Sequence, residues 1–193
     1  MMHVTAHRSL AIAVFLLLGI LMIAALCDLK WHRIPNRLNL AGVTTALGLS
    51  LLCSLSEWSG QMEWYRSWVT TVTVSRSLAG LVLAGLLPLL LYVAGSGGAG
   101  DVKLAWVMGG FLGSAAGCQS VILGYLLAGI WGLFVFIWSG RCWAAARIYL
   151  RSVGYRLWPQ RVAQPSREEW GQFSNADPMA PFLLAGTIVT IWA

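Results

Sequence analysis

Residues 104–140 read LAWVMGGFLGSAAGCQSVILGYLLAGIWGLFVFIWSG, with no charged side chain. A helix crosses a bilayer in roughly 20 apolar residues, so this stretch is too long for one crossing. Its natural break is Gly113-Ser114-Ala115-Ala116-Gly117, a run of small residues suited to a tight turn. Splitting there predicts a short span near 104–117 and another near 119–139. Working outward, the same criterion predicts spans at 9–27, 38–56, 77–100 and 178–193, the last of them short. The expected fold is all-α, a polytopic membrane helix bundle with six transmembrane helices. No run alternates with period two, which argues against a membrane β-barrel.

Composition agrees. Of 193 residues, 58% are hydrophobic and 10% charged, whereas a soluble domain carries about 25% charged residues. Four cysteines are too few for a disulfide scaffold. The chain is read as a single membrane-embedded domain, 1–193. Its net charge of +6 does not indicate nucleic-acid binding, because the charges lie between apolar runs, as in loops at an anionic membrane surface. Lys30, Arg33, Arg37, Lys103, Arg141, Arg147, Arg151, Arg156, Arg161 and Arg167 fall on one side of the six-span arrangement. Arg8, Arg66 and Arg76 fall on the other. The positive-inside rule makes the larger set cytoplasmic and puts the N-terminus outside. The first span carries its charges in the reverse order of a signal peptide. Leu26 before Cys27 is too large for a lipoprotein cleavage box.

Two stretches lie outside the spans. Trp58, Trp64, Tyr65 and Trp68 in 57–76 suit an outer interfacial belt. The basic segment 141–169 interleaves arginines with Trp143, Ile148, Tyr149, Leu150, Val153, Leu157 and Trp158. It suits a helix on the inner membrane surface, or equally a solvated basic loop.

Several chemistries drop out. His3, His7 and His32 all lie outside the spans, so no intramembrane Ser-His pair is available. There is no H-E-x-x-H, and Cys27, Cys53, Cys118 and Cys142 form no C-x-x-C. No metal site and no cofactor is expected, and the cysteines read as small packing residues. The acids say more. Glu57, Glu63, Glu168 and Glu169 sit in polar loops, whereas Asp28, Asp101 and Asp177 each abut an apolar span. A carboxylate beside hydrocarbon is costly and marks a functional hypothesis.

The predicted topology puts Asp28 at the end of the first span and Asp101 at the start of the fourth, both in the cytoplasmic leaflet. Two carboxyls in contact tend to share one proton. The ionised partner can take a proton from water, while the protonated one polarises a carbonyl or protonates a leaving amine. Gly98 and Gly100 leave room beside Asp101 for an extended peptide backbone. Ordinary alternatives stand beside this reading. Asp101 could be a helix N-cap, and Asp28 could snorkel into headgroups. Asp177 before Pro178 fits an N-cap followed by proline at the first helical position.

Three stretches resemble the type IV prepilin peptidases, membrane aspartic proteases of the G-x-G-D type. Asp28 to Leu38, with Ile34-Pro35-Asn36, is similar to that family's D-x-x-x-x-x-I-P-N-x-L segment. Gly98-Ala99-Gly100-Asp101-Val102-Lys103-Leu104 is similar to its G-x-G-D-x-K-L. Met179-Ala180-Pro181-Phe182 is similar to its late A-P-F motif. The resemblance implies an enzyme of a bacterial inner membrane that removes a short basic leader from prepilins or pseudopilins at the cytoplasmic face. It implies Asp28 and Asp101 as the catalytic pair, with Gly98, Gly100 and Lys103 from the second motif, and Pro35 and Asn36 from the first, lining the substrate site. Partners are then the prepilin and membrane lipid, and no nucleic acid. Longer members carry an N-terminal segment with paired C-x-x-C motifs and also methylate the new terminus. With Asp28 so early in the chain, a peptidase without that second activity is expected, like the short forms serving Tad/Flp-type pili. The competing readings are a presenilin-like protease cutting inside substrate helices, and a small transporter or assembly scaffold in which the aspartates relay protons or pair with cations.

Overall fold

The structure is a computed structural model that describes residues 12–59, 72–95, 97–139, 143, 147–148, 150–151 and 178–192. The elements among the described residues are five helices: α1 (Ile12–Trp31), α2 (Asn36–Ser59), α3 (Val74–Val93), α4 (Ala99–Trp138) and α5 (Ala180–Trp192). The first four are long and apolar enough to cross a membrane, and α5 is a shorter apolar helix. The all-α expectation holds. Six separate spans are not confirmed: the fourth and fifth predicted spans fall within α4, which breaks between them, and α5 is shorter than the other four helices.

The break inside α4 falls at Gly113, with φ 78° and ψ −176°. That backbone region is essentially reserved for glycine. A Cβ added to Gly117 would lie 2.8 Å from the Cα of Gly109. In an unbroken helix these two residues would be about 12 Å apart. The chain therefore reverses at Gly113, and the segment beginning at 114 packs back along 99–112.

The other helix boundaries differ from the hydropathy reading for hydrogen-bonding reasons. α1 continues past Cys27 to Trp31, so Asp28 lies inside the helix instead of closing it. His32, at φ 48°, then takes the left-handed conformation while its N–H still bonds the Asp28 carbonyl at 2.9 Å. The Pro35 carbonyl accepts from the N–H groups of Leu38 and Asn39, which makes Pro35 the N-cap of α2. α3 stops at Val93, well short of the predicted 100. Gly95 follows in the left-handed region, where a helix-ending glycine has no Cβ to clash.

Two compact units are present, one of residues 1–127 and 178–193 and the other of residues 128–177. The first contains the core, in which Leu17, Leu21, Leu104, Met108 and Leu183 are fully buried. Its outward faces carry Phe15, Leu40 and Val82, the apolar exterior a lipid phase would cover. α1 packs on α5 and α2, and α2 on α3. Glycines set the closest approaches. Gly80 meets Gly109 backbone to backbone, and the Trp106 indole fills the space beside Gly85. A Cβ on Gly186 would lie 2.5 Å from the Ser120 carbonyl oxygen. Small residues at such crossings are the usual means of packing helices in lipid.

Several hydroxyl side chains in the helices bond to the nearby backbone. Thr45 Oγ1 donates to the Ala41 carbonyl at 2.7 Å, Ser56 to Cys53 at 2.7 Å and Thr187 to Leu183 at 2.8 Å. Ser77 Oγ reaches across to the Gly110 carbonyl at 2.7 Å. Ser54 Oγ accepts the N–H of Val74, an otherwise orphaned donor of the first turn of α3. Cys27, Cys53 and Cys118 are thiols, not disulfides. In the second unit, Trp131, Phe134 and Trp138 form a ladder with ring centroids 5.9 and 5.8 Å apart. Trp64, Tyr65, Trp68 and most of the basic segment 141–169 lie outside the described residues.

Candidate active site

The site is assembled from three separated stretches. Asp28 continues the buried stripe of α1 formed by Leu17, Leu21, Ala24 and Ala25, the spacing that keeps side chains on one helix face. It is only 9% exposed, which rules out the headgroup-snorkelling alternative. Its Oδ2 accepts the N–H of Ala180 at 3.0 Å. Ala180 is the first residue of α5 and fully buried, so water cannot satisfy that N–H. Pro181, next in line, has no N–H to offer. The Met179 carbonyl accepts from Phe182 and Leu183, making Met179 the N-cap. Pro178 therefore precedes the helix and does not hold its first position, and Asp177 lies outside the described residues. A carboxylate at a helix N-terminus also meets the favourable end of the helix dipole.

Asp101 lies in the first turn of α4. Its Oδ2 accepts the Gly98 N–H at 3.2 Å, and its own N–H bonds the Gly98 carbonyl at 3.1 Å. Gly98 is thus the N-cap, and Asp101 reaches back to it from the third helical position, half of a capping box. The N-cap alternative for Asp101 is corrected accordingly. A Cβ at Gly98 would lie 3.0 Å from Asp101 Oδ2, and one at Gly100 would lie 3.3 Å from Ile34 Cδ1. The bare faces of the two motif glycines are thus taken up by the carboxylate and by Ile34.

Lys103 Nζ donates to Asn36 Oδ1 at 2.8 Å. This bond and the Ile34–Gly100 contact join the turn after α1 to the start of α4. The Asp28 and Asp101 carboxylates lie within electrostatic reach of each other. All seven singled-out positions (Asp28, Pro35, Asn36, Gly98, Gly100, Asp101 and Lys103) thus gather around one end of the bundle.

The model of the type IV leader peptidase family matches residues 15–137, well over half of the chain. The chain belongs to the type IV leader peptidase family. Neither the curated proteins nor the solved structures hold a match to it. The family match includes both aspartates but stops before Ala180, so the backbone partner of Asp28 comes from outside the matched region.

Sequence reasoning missed two groups. Tyr125, the one phenol in residues 104–140, lies within electrostatic reach of Asp101. Asn39, 4% exposed, has neither side-chain polar atom bonded among the described residues. Each is a polar group placed in an apolar run, and that was the only signal available for either.

Proposed function

We propose that this member of the leader peptidase family is an aspartic endopeptidase of the bacterial inner membrane, cutting a short basic leader from prepilins or pseudopilins at the cytoplasmic face. The observation that carries the reading is the convergence of Asp28 and Asp101. They come from distant parts of the chain, each held by a backbone N–H, within reach of each other's charge.

Between them the two carboxyls hold one proton. The ionised carboxylate takes a proton from a water as its oxygen bonds to the scissile carbonyl carbon. The protonated carboxyl gives its proton to the carbonyl oxygen, forming a neutral gem-diol. The first carboxyl then delivers its proton to the amide nitrogen. As the C–N bond breaks, a diol proton returns to the second carboxyl, leaving a carboxylic acid and an amine. The basic leader suits two carboxylates at a cytoplasmic rim. The reversal at Gly113 supports a crossing on each side of it, and with α5 the six-span arrangement that puts the N-terminus outside. Gly98, Gly100, Lys103, Pro35 and Asn36 then border the substrate.

Purified chain in lipid, incubated with a prepilin, tests this. The expected result is leader removal by the wild type and none by Asp28→Asn or Asp101→Asn, with both variants inserted normally. Full cleavage by either variant would end the aspartic reading. Sequencing the new N-terminus separates a cut at the leader junction from one deep in the substrate helix, the presenilin-like outcome. Uncut prepilin throughout would return the chain to the transporter or scaffold reading.

A further inference from the structure

The reversal at Gly113 has a register. Gly117 faces Gly109, residues equally far from the turn on either side. Continuing that pairing along both segments brings residue 125 level with residue 101. The charge interaction between Tyr125 and Asp101 agrees with this placement. Gly124, beside it, packs on Leu183 and the Phe182 carbonyl in the first turn of α5, whose leading N–H is bonded to Asp28. The Tyr125 ring packs against the apolar core, while its hydroxyl is shut off from solvent and has no hydrogen-bond partner among the described residues. A buried phenol ordinarily finds an acceptor. Asp101 is the neighbouring acceptor that fits, since Gly98 engages only its Oδ2.

We infer that Tyr125 is a positioning residue of the aspartate pair, its hydroxyl donating a hydrogen bond to Oδ1 of Asp101 when a substrate closes the site. This rests on the leader-peptidase reading above. Hydrogen bonds of this kind are often long in the free enzyme and tighten in the substrate complex. With Oδ2 tied to Gly98 and Oδ1 to Tyr125, the Asp101 carboxyl plane is fixed relative to Asp28.

The test uses the full chain in lipid nanodiscs. Tyr125→Phe removes only the hydroxyl. The expected effect is a fall in kcat of about 10- to 100-fold with little change in KM, as for a slight misplacement of a reacting group. A structural signature accompanies it. Replacing Tyr65, Tyr92, Tyr149 and Tyr155 by Phe leaves Tyr125 as the sole phenol, observable by 13Cζ NMR with a leader-bearing peptide bound. Asp101→Asn should move that resonance, and this readout does not depend on the folding of Tyr125→Phe. A wild type that cuts prepilin, beside a Tyr125→Phe protein with unchanged kcat, would overturn the inference and leave the leader-peptidase reading standing. A resonance indifferent to Asp101→Asn would do the same. A wild type that leaves prepilin uncut removes both.

Discussion

At the scale of single residues, the two acids carry structure beside the chemistry proposed for them. Asp28 supplies the acceptor that the first N–H of α5 needs, and an asparagine carbonyl oxygen could still supply it. Asp28→Asn should therefore be inactive yet melt in detergent like the wild type. Asp28→Ala should be inactive and also less stable by about 1 kcal/mol, the usual cost of a lost helix cap. Equal melting of the two variants would show that the Ala180 bond contributes nothing to stability. Asn39 predicts the opposite sign. Its amide is buried without a partner among the described residues, so Asn39→Leu should raise stability by about 1–3 kcal/mol, read as an upward shift of the thermal midpoint. The acids were legible in the sequence because a carboxylate beside hydrocarbon is expensive wherever it points. Asn39 and Tyr125 were not, because an amide or phenol in an apolar run has meaning only once its neighbours are known.

At the scale of helices, glycine positions govern geometry. Gly113→Ala places a Cβ on a backbone with φ 78° and ψ −176°, a region that costs about 1–3 kcal/mol for other residues. Reduced stability and a disturbed reversal are the expected results, and disulfide cross-linking between cysteines at 109 and 117 would report the second. Gly186→Val has no space either, because the Ser120 carbonyl and the Gly124 backbone already occupy it. It should push α5 away from α4 and lower cleavage. The small-residue run was readable as a turn because no other feature interrupts 104–140. Helix ends were less readable. Hydropathy locates the lipid core, whereas α1 runs on through Asp28 and Lys30 under control of its hydrogen bonds, and the ammonium of Lys30 settles 4.9 Å from the Trp31 ring centroid.

For the whole molecule, the proposed orientation makes a prediction of its own. In a background with Cys27, Cys53, Cys118 and Cys142 replaced by serine, Arg33→Cys should react with an impermeant thiol reagent only from the cytoplasmic side. Arg76→Cys should react only from the opposite side. Labelling of both from one side would overturn the span arrangement. The bundle itself was legible from apolar length alone. Its convergence was not, since nothing local in Ala180 announces that its N–H will meet a carboxylate 152 positions earlier.

That long-range bond also has a consequence for biosynthesis. The ribosome makes Asp28 and Asp101 well before it makes α5, and until residue 180 emerges and its helix docks, the first acid lacks its backbone anchor. On the proposed reading, a nascent chain that has not yet reached α5 would be silent, its activity switched on only as residue 180 is made and docks.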